Sequence, residues 1–215
     1  MTILHHIPGS RSHRVLWLLE ELDEEAEIRV WSLTDGSLRG PEFRALSPAG
    51  RIPALEIDGR VIFESGAITQ YLTETRGRLA PMPGDPERGA FLEWVHFAET
   101  QGNILQSLNI HHIFLRPESA RSLPLMRLDT KRLEITLHAL EARLSGRDWI
   151  LGQFSAADCM FGFNMDAMFR FVAREKFSAI AGWIARAQAR PAHVRAVERG
   201  GATIYARDFY ELPDG

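Results

Sequence analysis

The sequence predicts an α/β unit over residues 1–80, a linker at 81–86 and an all-α helical region over 87–215. Three observations carry this. Strand and helix signals alternate through the first eighty residues, ProMetProGlyAspPro at 81–86 puts three prolines in six positions, and no strand signal follows it. At 215 residues and 45% hydrophobic content, the chain can bury one large core or two small ones.

ThrIleLeuHis at 2–5 reads as a first strand. Residues 11–22 read as a helix, because Val15, Leu16, Leu19 and Leu22 recur at three- and four-residue spacing while Arg14, Glu20 and Glu21 fall elsewhere. IleArgValTrpSerLeu at 28–33 alternates as a second strand. Since a helix separates it from the first, the two are expected to pair in parallel. AlaLeuGluIle at 54–57 and ArgValIlePhe at 60–63 flank Asp58-Gly59, a hairpin signal, and a helix carrying Ile68, Tyr71 and Leu72 starts near Ser65. Beyond the linker, Asp85 is the expected cap and Pro86 the first residue of a helix that continues through 92–98. Residues 130–144 carry Leu133, Leu137, Leu140 and Leu144 on one stripe. Ser155 and Asp158 have capping-box spacing, and Phe154 is placed to staple onto Cys159 at the head of a deeply buried helix. Helices at 179–189 and 191–198 close the chain, with Pro191 opening the second.

Net charge is −3, and 25 basic residues are spread among 28 acidic ones, which argues against a nucleic-acid surface. The start, MTILHHIPGSR, lacks a basic lead and a long apolar run, and no stretch reaches the roughly 18 apolar residues of a membrane span. A cytoplasmic protein that does not engage membranes is expected. The single cysteine, Cys159, cannot form an internal disulfide and reads as a small core residue. The doublets His5-His6 and His111-His112 do not make a metal site, because adjacent side chains point apart, and no metal is expected.

Five segments, in order, resemble the cytosolic glutathione S-transferase family over essentially the whole chain: ProGlySerArgSerHisArgVal at 8–15, GlyArgIleProAlaLeu at 50–55, GluSerGlyAlaIle at 64–68, PheSerAlaAlaAsp at 154–158, and the tail at 189–201. The first is similar to the serine-type loop of bacterial and delta/theta-like members. The resemblance implies a thioredoxin-like unit that binds glutathione, a helical region with a second-substrate pocket near 109–116, a homodimer, and glutathione as co-substrate. The implied reaction is conjugation of the glutathione thiolate to hydrophobic electrophiles, as in detoxification. Alternatives are a glutathione-dependent lyase, peroxidase or reductase, or a non-catalytic glutathione-binding stress or scaffold protein.

Each implied site residue also has a plain structural reading. Ser10 is a good helix N-cap. It also lies just past the carboxyl end of a strand, where ligands of α/β sheets bind, and the resemblance makes its hydroxyl the donor that holds the glutathione sulfur as thiolate. Ser12 is the alternative hydroxyl. Pro53 reads as a strand-edge proline, but in this family the bond before it is cis, so that the main chain of Ile52 pairs with the cysteinyl peptide of glutathione. Glu64 and Ser65 read as strand end and helix cap, or as partners of the γ-glutamyl ammonium and carboxylate. Arg51 reads as a solvated charge or as the partner of the glycine carboxylate. Some serine-type relatives have His where Gly50 stands and Arg where Gly66 stands, so those two contacts are not expected here. Glu99 reads as a solvated charge, or as a group reaching the γ-glutamyl ammonium across a dimer interface.

Overall fold

A computed structural model describes residues 1–213. Four strands form one sheet in the order β2-β1-β3-β4: β1 Ile3–His6, β2 Glu27–Val30, β3 Ala54–Ile57 and β4 Arg60–Phe63. The expected parallel pair is present, with Ile3 opposite Glu27 and His6 opposite Val30. β3 runs antiparallel to β1 and to β4. The hairpin turns on Asp58 and Gly59, whose φ values of 51° and 73° are the positive pair that a two-residue primed turn requires. β1 is an inner strand covered on both faces, so His5 and His6 are both buried. β1 lies one residue later than the sequence indicates. β2 ends three residues earlier, although Trp31 still donates its N–H to His6 O at 2.9 Å.

The helices are α1 Ser12–Glu21, α2 Pro41–Leu46, α3 Ser65–Arg76, α4 Arg88–Asn109, α5 Leu123–Leu144, α6 Ala156–Met160, α7 Gly162–Ala167, α8 Ser178–Gln188 and α9 Pro191–Gly200. Among the described residues no helix is long and apolar enough to cross a membrane. α4 begins at Arg88, three residues beyond Asp85, because residues 86–87 form a turn. Asp85 accepts the Glu87 N–H in that turn at 2.8 Å, so it caps the lead-in. α5 begins seven residues before the expected start at residue 130, where Ser122 accepts the Leu125 N–H at 3.4 Å and Pro124 occupies the tolerated first turn. The capping box is formed: the Asp158 carboxylate accepts the Ser155 N–H at 3.0 Å and its hydroxyl at 3.3 Å. Phe154 lies beside Trp17 and Trp149, with the Arg190 guanidinium 3.5 Å from its ring centroid.

α1 corrects the sequence picture of a helix with a free polar face. It is covered by the sheet, by α3, by α6 and α7, and by α9, so the residues outside its leucine stripe are also enclosed. The charged ones are paired. Glu20 meets Arg195 at 2.7 Å and Arg199 from α9, Glu21 meets Arg190 through two contacts of 2.6 Å, and Arg14 is fully buried. Because both parts of the chain pack on α1, its N-terminus is fixed from every side.

Candidate active site

The chain leaves β1 at His6 and turns into α1 through Ile7–Arg11. Gly9 has φ +68°, and a Cβ there would stand 2.8 Å from the Ile204 Cγ2, so both the backbone angle and the space favour glycine. Ser10 follows at the helix mouth. Its N–H donates to Ile7 O at 3.2 Å, its carbonyl accepts from His13 N at 3.1 Å, and its Oγ accepts from Ser12 N at 3.3 Å. The N-cap position itself falls to Arg11, one residue later than the sequence indicates, while the Ser10 hydroxyl accepts the N–H of the first helical residue and also lines a cleft.

That cleft has a volume of ≈ 460 Å³ and is lined by Ser10, Arg11, Arg51, Ile52, Asn109 and Phe114, among others. The structure therefore brings three of the predicted site residues, Ser10, Arg51 and Ile52, to one cavity with the end of α4 on its far wall. Arg51 is exposed, and its Nη1 reaches Gln106 Oε1 at 3.5 Å. The Ile52–Pro53 bond is cis, and the main-chain N–H and C=O of Ile52 engage no other backbone group among the described residues.

Ser65 and Glu64 stand at the start of α3 and do not line this cavity. Ser65 is buried and its Oγ accepts from Arg14 Nη1 at 3.1 Å, which leaves its own O–H to donate. Glu64 holds φ +70°, an uncommon angle for a residue with a side chain, and its side chain is exposed. Arg14 is the hub beneath them. It donates to Glu99, to Ala98 O at 3.1 Å and to Asn164 Oδ1 at 2.8 Å as well as to Ser65. Burial lowers its pKa to about 10, with Glu99 opposing, so it remains a cation at neutral pH. Glu99 is not a solvated charge: it pairs with Arg14 and lies 3.0 Å from Arg11 Nε. Arg11 in turn donates to Gln106 at 2.5 Å, and burial lowers its pKa while Glu99 and Glu64 raise it and Arg51 lowers it.

Three residues at or beneath the cleft are not singled out as site residues by the sequence: Arg14, the buried hub, and Arg11 and Gln106, which line the cleft. Nor does the sequence show the position of Ser12, which is fully buried against His6, with Ser12 Oγ 2.7 Å from His6 Nδ1. A signal is present in SerArgSerHisArg, which sets five polar residues at the head of a helix that is otherwise apolar. Cys159 takes no part: it is fully buried, and burial pushes its thiol well above the ordinary range.

The chemistry available here is anion stabilisation. A hydroxyl, a helix N-terminus and two guanidiniums surround one end of the cleft, and an unpaired strand edge lies beside it.

Known proteins resemble this chain in sequence and in fold. The family model described as "Glutathione S-transferase, N-terminal domain" matches residues 1–74. Glutathione S-transferase 3 of Schizosaccharomyces pombe is 30% identical over 214 residues, covering 93% of this chain and 88% of the relative. The disulfide-bond oxidoreductase YfcG of Escherichia coli is 29% identical over 202 residues, covering 89% and 92%. The crystal structure of the glutathione transferase URE2P8 from Phanerochaete chrysosporium with oxidized glutathione overlays with a TM-score of 0.85 at 26% identity, over 93% of this chain and 94% of that one. Identity of this extent along nearly the full length of both chains, on a thioredoxin-like sheet and helical region that overlay so closely, places this chain in the glutathione S-transferase family.

Proposed function

We propose that the chain is a serine-type glutathione transferase, in which Ser10 holds the glutathione sulfur as thiolate while it attacks a hydrophobic electrophile. The observation that carries this is the place of the Ser10 hydroxyl, at the N-terminus of α1 and on the wall of the cleft that Arg51 and Ile52 also line. A free thiol titrates near ~8.5, so each unit by which its pKa falls gives close to tenfold more nucleophile at neutral pH until ionisation saturates. In this reading the Ile52 main chain pairs with the cysteinyl peptide, and Arg51 meets the glycine carboxylate. Ser65, whose proton is free, meets the γ-glutamyl carboxylate, and Glu64 meets the ammonium. The apolar second substrate lies against Ile110 and Phe114, and Glu99 acts by neutralising Arg14 and Arg11 within its own chain. Proximity of the two substrates and the preorganised thiolate supply the acceleration.

The relative named as a disulfide-bond oxidoreductase favours a second reading, glutathione-dependent disulfide reduction. The absence of a cysteine from 8–15 and the burial of Cys159 weigh against it. Retention on immobilised glutathione, followed by assay with electrophiles and with a mixed disulfide, separates the readings. Conjugation of an aryl halide or an enone supports transfer, whereas turnover of the disulfide alone supports reduction. Failure to bind glutathione at all contradicts both.

We also propose a homodimer. Val61 and Phe63 are 42% and 43% exposed on the sheet's edge strand β4, and Leu128 and Ile135 are 44% and 69% exposed on α5. Such edges and apolar patches are ordinarily covered. Sedimentation equilibrium should give twice the chain mass of 24.3 kDa, and a 24.3 kDa species at micromolar concentration would contradict this.

A further inference from the structure

Behind Ser10, on the side away from the cleft, a row of hydrogen bonds runs into the fold. Ser10 Oγ is 2.7 Å from Ser12 Oγ, Ser12 Oγ is 2.7 Å from His6 Nδ1, and His6 Nε2 is 2.8 Å from Gly200 O. The direction of every proton in this row follows from its far end. A carbonyl only accepts, so His6 Nε2 carries a hydrogen. Burial lowers the His6 pKa, with the Gly200 carbonyl opposing, and the neutral ring has one N–H, which makes Nδ1 an acceptor. Ser12 must therefore donate to Nδ1. Its oxygen already accepts the Ile7 N–H at 3.2 Å, and its remaining lone pair accepts the Ser10 proton. Ser10 Oγ in turn accepts the Ser12 N–H, so what it presents to the cleft at rest is a lone pair. In this state Ser10 can take a hydrogen bond from a thiol, but it cannot give one to a thiolate.

We infer that Ser10, Ser12 and His6 form a proton relay that carries the thiol proton of bound glutathione inward and leaves the Ser10 hydroxyl donating to the thiolate. This rests on the proposed role of Ser10. The S–H proton passes to Ser10 Oγ, the former Ser10 proton passes to Ser12 Oγ, and the former Ser12 proton passes to His6 Nδ1. One S–H bond breaks and one N–H bond forms, both hydroxyls reverse, and no electrons change hands. The imidazolium that results finds an acceptor at each nitrogen, Gly200 O and Ser12 Oγ. Ser12 and His6 act through Ser10 and are positioning residues.

The His6 ring also borders a second cavity on its far side, of ≈ 300 Å³, with Ser10 on its near wall and His13, Asp166 and His193 around it. The groups facing the His6 ring across this space are thus His13 from α1, Asp166 from α7 and His193 from α9. Burial together with the other two rings pushes the His13 pKa down to about 3, so His13 does not compete for the proton at neutral pH. Asp166, partly exposed on the same wall, is paired with Arg170 at 3.7 Å and accepts from the Thr203 hydroxyl at 2.6 Å. Among the described residues no group of three His, Cys, Asp or Glu side chains converges so as to hold a metal ion.

The alternative is that Ser12 and His6 only brace the loop and that Ser10 rotates its own proton toward the sulfur. The two accounts differ in sign. Under bracing, Ser12→Ala frees the Ser10 proton and leaves thiolate formation equal or better; under the relay, it impairs it. The test is the thiolate absorbance of glutathione bound to the full-length protein, titrated against pH in wild type, Ser12→Ala, Ser12→Thr and His6→Gln. The relay predicts that Ser12→Ala and His6→Gln raise the bound thiol pKa enough to lower the neutral-pH thiolate about tenfold. Glutathione affinity should stay within about twofold, since neither side chain lines the cleft and what is lost is the base that holds the proton. Ser12→Thr, which keeps the hydroxyl, should retain the wild-type value. Because Ser12 is buried and substitution there can impair folding, the second readout uses wild type alone: the rate of thiolate appearance on mixing with glutathione in H₂O–D₂O mixtures. A curved dependence on deuterium fraction shows several protons moving together and supports the relay. A linear dependence, or wild-type thiolate levels in folded Ser12→Ala or His6→Gln, overturns it. If instead Ser10→Ala leaves the bound thiol unchanged, the reading of Ser10 itself fails.

Discussion

Replacing Ser10 by alanine is expected to lower kcat/KM at neutral pH by about 10²-fold, the usual cost of removing one preorganised donor from a developing or resident anion. The glutathione affinity should change by less than about threefold, because the contacts assigned to Arg51, Ile52, Glu64 and Ser65 lie elsewhere in the site. The deficit should shrink as pH rises through the ordinary thiol range, where glutathione ionises without help. Ser12 should not substitute for Ser10. Its side chain is fully buried and its hydroxyl faces His6, Ile7 and Ser10 rather than the cleft. The measurement is the pH profile of kcat/KM for the two proteins with one electrophile. A pH-independent loss would mean that Ser10 positions glutathione without affecting its ionisation.

The largest effect on stability is expected from Asp158→Ala. The carboxylate is fully buried and accepts from Ile150 N at 3.2 Å, Ser155 N at 3.0 Å, Ser155 Oγ at 3.3 Å and Trp183 Nε1 at 2.9 Å. It ties the start of α6 to the preceding loop and to α8. Alanine leaves three N–H donors buried without partners, at about 1–3 kcal/mol each, so a loss of about 3–9 kcal/mol is expected. Against the roughly 5–15 kcal/mol of an ordinary domain this is a large fraction, readable as a lower urea midpoint. Asp158→Asn keeps one acceptor oxygen and should lose less. The acid itself has a pH signature. Burial, opposed by these donors, raises its pKa to about 6, so the folded state binds this proton more tightly than the unfolded chain does. Its contribution to stability is therefore greatest below the unfolded value and declines as pH rises to about 6. That slope should vanish in Asp158→Asn. The site depends on this anchor because α7, directly after α6, sets Gly162 and Phe163 against α1. A Cβ on Gly162 would meet His13 Cδ2 at 3.2 Å.

What is legible in the sequence is local. Asp58-Gly59 specifies its turn because only certain residues accept two positive φ angles in succession, and Ser155 with Asp158 specifies a helix start at fixed spacing. The parallel pairing of β1 and β2 follows from the helix between them. Among the candidate site residues, the place of Ser10 between strand and helix is legible, whereas its choice over Ser12 comes from the family resemblance. The convergence of Arg51 and Ile52 on the same cleft comes from the family resemblance and not from any spacing.

The long-range pairings are not legible. Arg14 looks like an ordinary charge outside an apolar stripe, because its partners Ser65, Glu99 and Asn164 lie 51, 85 and 150 residues away. Glu99 looks solvated for the same reason, and Glu20 and Glu21 lie far from the arginines of α9 and its approach. α2 escapes notice because a helix of six residues with Phe43 alone buried leaves no periodicity to detect. His6 reads as half of a doublet. Its partners Ser12 and Gly200 come together only once the chain has folded α9 back onto α1.

The most direct test of the whole account is a crystal structure of the protein with reduced glutathione in the cleft. The account predicts the cysteinyl sulfur within hydrogen-bonding distance of Ser10 Oγ, roughly 3.0–3.5 Å, with the cysteinyl peptide on the Ile52 main chain. A sulfur that contacts another donor and leaves Ser10 unengaged would contradict it.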